Sequence, residues 1–140
     1  MKVKYVMSKN LFTIEPDATI KAAAQTMKDN KVGMLPVLTR DGKLVGTITD
    51  RDIAVRAVAL GLEPERKVEE AMTRGCETCH EDDSISEVAQ RMTAHKVRRV
   101  VVVSGDKDKP RGVVSLGDLA LNAESRKVAG DVLSRVAVRR

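Results

Sequence analysis

The chain has 140 residues, 42% hydrophobic and 32% charged, with a formal net charge of +5. That size and balance fit one ordinary globular domain or two very small ones, and they argue against disorder. One Tyr, one Phe and no Trp leave the core to Val, Ile, Leu, Ala and Met, and weaken any reading that needs stacked bases on aromatic rings.

The predicted elements begin with a short strand near Thr13. A helix follows, with Ile20, Ala23, Ala24 and Met27 on one apolar face and Asp17 as its N-cap. A strand is expected at 34–38, then a hairpin turn over Arg40-Asp41-Gly42-Lys43 and a returning strand at 44–48. A second helix starts near Asp50, places Ile53, Ala57 and Leu60 on one face, and stops at Gly61. Glu63-Pro64-Glu65-Arg66 reads as a linker. The pattern then repeats: a strand near Thr78; a helix with Ile85, Val88, Ala89 and Met92 inward, capped by Asp83 or Ser84 and closed by an exposed His95; strands at 97–103 and 112–115 around a longer turn at 104–109; and a helix over 117–123. The tail, 127–138, carries Val128, Val132, Val136 and neighbouring Leu133, which reads as an amphipathic helix that either caps the core or dimerises.

The two halves match residue by residue. With a 65-residue offset, Met7/Met72, Thr13/Thr78, Asp17/Asp82, Ile20/Ile85, Ala24/Ala89, Gln25/Gln90, Met27/Met92, Lys31/Lys96, Val32/Val97 and Val37/Val102 are identical. One inserted residue later, Gly46/Gly112, Asp52/Asp118 and Ala54/Ala120 pair, and Thr49 meets Ser115. This is a tandem duplication. It divides the chain into a repeat at 1–65, a repeat at 66–125 and a tail at 126–140. Each repeat alone would bury only about 60% of its unfolded surface, so two copies sharing a core are expected.

What recurs with chemical content is Gly-x-x-Thr/Ser-x-x-Asp, at Gly46, Thr49 and Asp52 and again at Gly112, Ser115 and Asp118. The hydroxyl ends a strand and the Asp falls in the first helical turn, so both face one side. A carboxylate can accept from both hydroxyls of a vicinal diol, while the hydroxyl and the amides of a helix start suit phosphate. The competing reading is that Thr/Ser-x-x-Asp is only a capping box. Motifs for nucleophilic catalysis or Gly-rich phosphate loops do not occur, and no catalytic residue is expected.

Cys76-x-x-Cys79-His80 has the spacing of a haem-attachment site, and its Cys pair that of a redox or zinc site. Cys76, Cys79 and His80 are therefore the alternative metal or redox candidates. Apolar runs end at four residues, as at 57–60 and 100–103, against roughly 20 for a membrane span and 7–15 for a secretory core. A cytoplasmic chain without membrane attachment is expected. The basic residues are scattered apart from Arg139-Arg140, which suits anionic small molecules better than nucleic acid.

The stretch from Leu44 to Ile53, with Leu35-Pro36-Val37 before it, and the stretches 97–102 and 112–119 closely resemble the CBS domain. Paired copies of that domain form the Bateman module, and the resemblance spans about residues 6–123, most like stand-alone bacterial CBS pairs. It implies an α/β fold of two β-α-β-β-α repeats packed pseudo-symmetrically through their sheets, with adenosyl ligands held in clefts between the repeats. Carried over by position, Asp52 and Asp118 would hold ribose hydroxyls, and Thr49 and Ser115 ribose or phosphate. Thr13 with Ile14, and Thr78 with Cys79, would line the base pockets. Met34, Leu35 and Pro36 would contact the base in one site, and Arg99, Val100 and Val101 stand at the matching places of the other. Arg51, Arg98 and Arg99 are the phosphate candidates, since guanidinium groups pair with phosphate bidentately. Met34 against Arg99, Pro36 against Val101 and Arg51 against Gly117 make the two sites unequal. The ligand class implied is AMP, ADP, ATP, NAD or S-adenosylmethionine, with no obligatory cofactor. A non-catalytic sensor acting on an unknown effector protein is implied, as is a homodimer with Ala54, Val58, Val132 and Val136 as contact candidates.

Overall fold

The computed structural model describes residues 1–122 and 126–137. The chain folds as two compact units, Phe12–Cys76 and Met1–Leu11 together with Glu77–Arg140. They are called the first and second unit below. Their boundaries are offset from the repeats at 1–65 and 66–125, because the segment that leads into each repeat belongs to the other repeat's unit.

In the first unit, α1 (Ile20–Asn30) buries Ile20, Ala23 and Met27 but leaves Ala24 exposed. Its N-cap is Thr19, whose Oγ1 accepts from the Ala22 amide at 3.0 Å, and not Asp17. Thr19 lies directly before the first helical residue, where a side-chain oxygen can reach the third helical amide. β1 (Met34–Leu38) pairs antiparallel with β2 (Leu44–Thr49), turning through Gly42 at φ 88°. β3 (Thr73–Arg74) then adds to the far edge of β2. The strand expected near Thr13 is reduced to one parallel bridge, Ile14 to Val37.

The helix after β2 departs from the sequence pattern. It starts as α2 (Asp50–Asp52) and widens into a π-helix, Ile53–Val58, with Gly61 beyond it at φ 76°. The Leu62 amide then reaches the Ala57 carbonyl at 2.9 Å. Each π-turn takes up an extra residue and rotates the following side chains. Ala57 is buried and Leu62 packs on the core, whereas Leu60, expected on the inner face, is 73% exposed.

In the second unit, β4 (Thr78–His80) runs parallel to β5 (Arg99–Ser104), which pairs antiparallel with β6 (Lys109–Ser115). α3 (Ile85–His95) buries Ile85, Val88, Ala89 and Met92 and is capped by Ser84. Asp83, the other cap candidate, accepts instead from the His80 amide at 2.9 Å. α4 (Leu116–Leu121) follows β6, and α5 (Arg126–Ala137) packs on α3 and α4. The predicted helix end Ala123, the tail residue Val138 and Arg139-Arg140 lie outside the described residues. α5 sends Ala129, Val132 and Val136 into the core of this unit. Val132 and Val136 are therefore core residues and not the surface contact expected of them; only Ala54 and Val58 of that set are exposed.

The duplication extends to the leader segments. A 3₁₀ turn at Val3–Tyr5 places Val3 in the second unit's core, and Ser8 bridges Val113 at the edge of β6. The matching turn at Val68–Glu70 places Val68 in the first unit's core, ahead of β3 on the edge of β2. Gly46 and Gly112 make this possible. A Cβ at Gly46 would stand 2.2 Å from the Thr73 carbonyl oxygen, and one at Gly112 would stand 2.2 Å from that of Ser8. Among the described residues, two three-stranded sheets and five α-helices form. No described helix is long and apolar enough to cross a membrane.

Candidate ligand sites

Each candidate site begins where the last strand of a hairpin becomes a helix. In the first unit the Asp50 amide reaches back to the Gly33 carbonyl at 3.0 Å, and Met34 pairs across the sheet with Thr49. Thr49 Oγ1 accepts from the Asp52 amide and the Thr49 amide donates to Asp52 Oδ2, both at 3.0 Å. The second unit repeats this. The Leu116 amide reaches the Arg98 carbonyl at 2.8 Å, and Arg99 pairs with Ser115. Ser115 Oγ accepts from the Asp118 amide at 3.0 Å, and the Ser115 amide donates to Asp118 Oδ2 at 2.8 Å.

Both motifs are therefore capping boxes. Capping uses one carboxylate oxygen and leaves the other, and it uses the hydroxyl oxygen as acceptor while its hydrogen can still be donated. Capping and diol binding are compatible. The helix amides are another matter. Those of Asp50, Arg51 and Asp52 bond to Gly33 O, Asp50 Oδ1 and Thr49 Oγ1, and those of Leu116 and Asp118 are likewise taken. The first three helix amides of the first unit are thus all engaged, and in the second unit two of the three are, so a phosphate at either site would rely largely on side chains.

Strand alternation sorts the remaining candidates. Leu35 and Val100 point into the cores under the helices, as does Cys79, so their side chains are packing residues. Met34, Pro36 and Thr49 share the opposite face of one sheet, and Arg99, Val101 and Ser115 that of the other. Ile14 lies alongside Pro36, its amide donating to the Pro36 carbonyl at 3.1 Å, with Thr13 exposed next to it. Thr78 is opposite Val101 in the β4–β5 ladder. Arg51, Arg98 and Arg99 are exposed and make no ion pair among the described residues. The structure thus groups Met34 with Thr49 and Asp52, and Arg99 with Ser115 and Asp118.

The two carboxylates differ in a way the sequence pairing did not reveal. Asp52 Oδ1 receives the Thr73 hydroxyl at 3.4 Å and lies 3.8 Å from Arg56 Nε, with the Asp52 side chain 12% exposed. Arg56 also donates to the Met72 carbonyl at 3.1 Å. Asp118 Oδ1 makes no such bond among the described residues. Arg56 was detectable as the i+4 partner of Asp52 on a helix; Thr73 arrives from the leader strand, 21 residues away in sequence.

The alternative set at Cys76, Cys79 and His80 does not converge. Cys79 is 2% exposed in the second unit's core, and His80 turns to Asp108, 3.2 Å away. Among the described residues no three His, Cys, Asp or Glu side chains gather as a metal site. Burial, with the nearby Asp83 charge adding to it, pushes the Cys79 thiol up to about 12. Since the folded value lies above the ordinary 9.0, its stabilising effect is complete below pH 9 and is lost as pH rises from there towards 12. Cys79 should resist a thiol reagent at pH 8 until the protein unfolds. Rapid Cys79 labelling in the native state, located by peptide mass, would contradict this burial.

The CBS domain family model matches residues 3–58 and 68–124. The chain is 37% identical to the CBS domain-containing protein YhcV of Bacillus subtilis over 135 residues, 96% of this chain and 94% of that protein. The CBS domain pair of protein MJ0100, solved with 5′-methylthioadenosine and S-adenosyl-L-methionine, superposes with a TM-score of 0.78 at 34% identity, covering 86% of this chain and 98% of that one. PAE2072 from Pyrobaculum aerophilum, complexed with AMP, superposes with a TM-score of 0.83 at 25% identity, covering 94% and 99%.

Proposed function

The chain belongs to the CBS-domain family, and from that membership we propose that it is a non-catalytic sensor of an adenosyl ligand. The observation that carries this reading is the paired strand-to-helix site. In each, a Thr or Ser hydroxyl and an Asp carboxylate sit side by side at the end of a β-hairpin, with one carboxylate oxygen not used in capping. Similar chains have been solved with AMP and with methylthioadenosine and S-adenosylmethionine. In this reading Asp52 and Asp118 are the carboxylates that can accept from ribose hydroxyls, and Thr49 and Ser115 the hydroxyls that can donate to ribose or phosphate. Thr13 with Ile14 and Thr78, together with Met34, Pro36 and Val101, border the base. Arg51, Arg98 and Arg99 take the phosphate. Leu35, Val100 and Cys79 contribute backbone only.

The ligand's effect passes to a separate effector protein, and the protein acts as a homodimer through the exposed face around Ala54 and Val58. Occupancy should raise stability by mass action, by about 2.7 kcal/mol at a hundredfold excess over Kd. For a chain of this size that is several degrees in Tm. A thermal-shift panel of AMP, ADP, ATP, NAD, S-adenosylmethionine and 5′-methylthioadenosine tests the reading. A rise with at least one of them is expected, and a flat response to all six overturns it.

A further inference from the structure

Asp52 and Asp118 occupy matching positions, yet their second oxygens have different surroundings. Around Asp52 the chain supplies its own substitutes for a ligand: a hydroxyl from Thr73 and a guanidinium from Arg56. Arg56 is tied in turn to the Met72 carbonyl of the same leader segment. A diol entering here must displace the Thr73 hydroxyl, share the carboxylate with a cation already beside it, and loosen a contact that holds the leader to the helix. Facing Thr49 across the sheet is Met34, which offers no charge.

The second unit reverses each of these terms. Asp118 keeps Oδ1 open among the described residues. Facing Ser115 across the ladder is Arg99, whose neighbour Arg98 is also exposed, and neither guanidinium is committed to a carboxylate. Directly opposed residues on one face of an antiparallel pair have Cβ atoms about 5 Å apart, within the reach of a guanidinium around a ligand held at Ser115. With the Leu116 amide held by the Arg98 carbonyl and the Asp118 amide by Ser115 Oγ, these guanidinium groups are the full positive charges on hand for a phosphate.

Resting on the adenosyl reading above, we propose that the chain is a one-site nucleotide binder. The Ser115–Asp118–Arg99 site of the second unit takes a phosphate-bearing adenosyl ligand, while the Arg56–Thr73 pair closes the Asp52 site of the first. Arg99 and Thr73 are then the specificity-determining residues: one selects phosphate, the other blocks the second site.

Calorimetry with AMP and with 5′-methylthioadenosine, which lacks phosphate, tests this. Wild-type protein should bind one AMP per chain. Asp118→Asn, which keeps an oxygen for the Ser115 amide and so keeps the cap, should weaken AMP about tenfold or more. Arg99→Met should weaken AMP more than methylthioadenosine. Thr73→Val, near in shape but without the hydroxyl, should raise the AMP stoichiometry towards two per chain, and Arg56→Gln should do the same by a second route if Thr73→Val folds poorly. Two equal AMP sites in the wild type, or AMP binding that survives Asp118→Asn, would overturn the one-site proposal and leave nucleotide sensing intact. Failure of the wild type to bind AMP would overturn this inference, whereas the adenosyl reading falls only if all six compounds of the thermal-shift panel give a flat response.

Discussion

Gly46→Ala and Gly112→Ala should each destabilise the protein severely, although both glycines have ordinary backbone angles and lie within strands. The reason is the approach of another backbone. A methyl at Gly46 would meet the Thr73 carbonyl oxygen at 2.2 Å and one at Gly112 that of Ser8 at the same distance. Neither obstacle is a flexible side chain that can swing away. Relief requires moving the leader strand off the sheet edge, which breaks the pairing of Gly46 with Arg74 and Thr47 with Thr73, or of Ser8 with Val113. Overpacking typically costs about 1–3 kcal/mol, and here the leader also carries core residues: Val68, Ala71 and Met72 in one unit and Val3 in the other. A loss of about 3 kcal/mol is expected, seen as a lowered denaturant midpoint, with faster hydrogen exchange in the matching leader. An alanine variant as stable as the wild type would mean that the leaders are not bound as described.

That glycine shows where the sequence was legible and where it was not. Local periodicity placed 34–38 as a strand and set Ile85, Val88, Ala89 and Met92 on one helix face, because those signals depend only on neighbours along the chain. The repeat was equally plain, and so was the grouping of Thr49 with Asp52. Gly46 and Gly112 were visible as recurring letters, but the carbonyl that excludes a side chain comes from a segment far away in sequence. The same holds for Thr73 beside Asp52. The face assigned to Leu60 failed for a different reason: it assumed 3.6 residues per turn, and a π-helix does not keep that period. Asp17 lost the cap to Thr19 because two candidate caps stood two residues apart, and only the true start of the helix decides between them.

On the proposed reading, the phosphate contacts pass from backbone amides to side chains. Sequence spacing offered amides and hydroxyls at the helix start, but the capping boxes take the Asp52 and Asp118 amides, and the Gly33 and Arg98 carbonyls take those of Asp50 and Leu116. In the proposed one-site reading, charge selectivity rests on which residue faces the hydroxyl across the hairpin, Met34 in one unit and Arg99 in the other. Duplication kept the frame and substitution changed what the frame can hold.

Val132→Asp should unfold the second unit's helical layer, whereas Val58→Asp should leave stability within about 0.5 kcal/mol of wild type. Val132 is 2% exposed and lies between Ala129 and Val136 on the inner face of α5, against α3 and α4. An unpaired charge placed there costs roughly 3–5 kcal/mol if it stays buried. A groove of about 370 Å³ beside Val132, bordered by Ala89, Thr93 and Arg135, offers partial hydration, so the cost should appear as release of α5. Release would expose Ala89, whose counterpart Ala24 in the first unit is already exposed. No described helix covers the first unit as α5 covers the second, and Val55, Val58 and Leu60 are 47%, 72% and 73% exposed there. An uncovered apolar face of this kind suits a second copy of the chain, so Val58→Asp should shift the proposed dimer towards a 15.3 kDa particle without lowering Tm. Light scattering and thermal melts on both variants separate the two roles. A wild type already monomeric at micromolar concentration would reject the dimer, and a Val132→Asp protein that melts like the wild type would reject the place of α5 in the core.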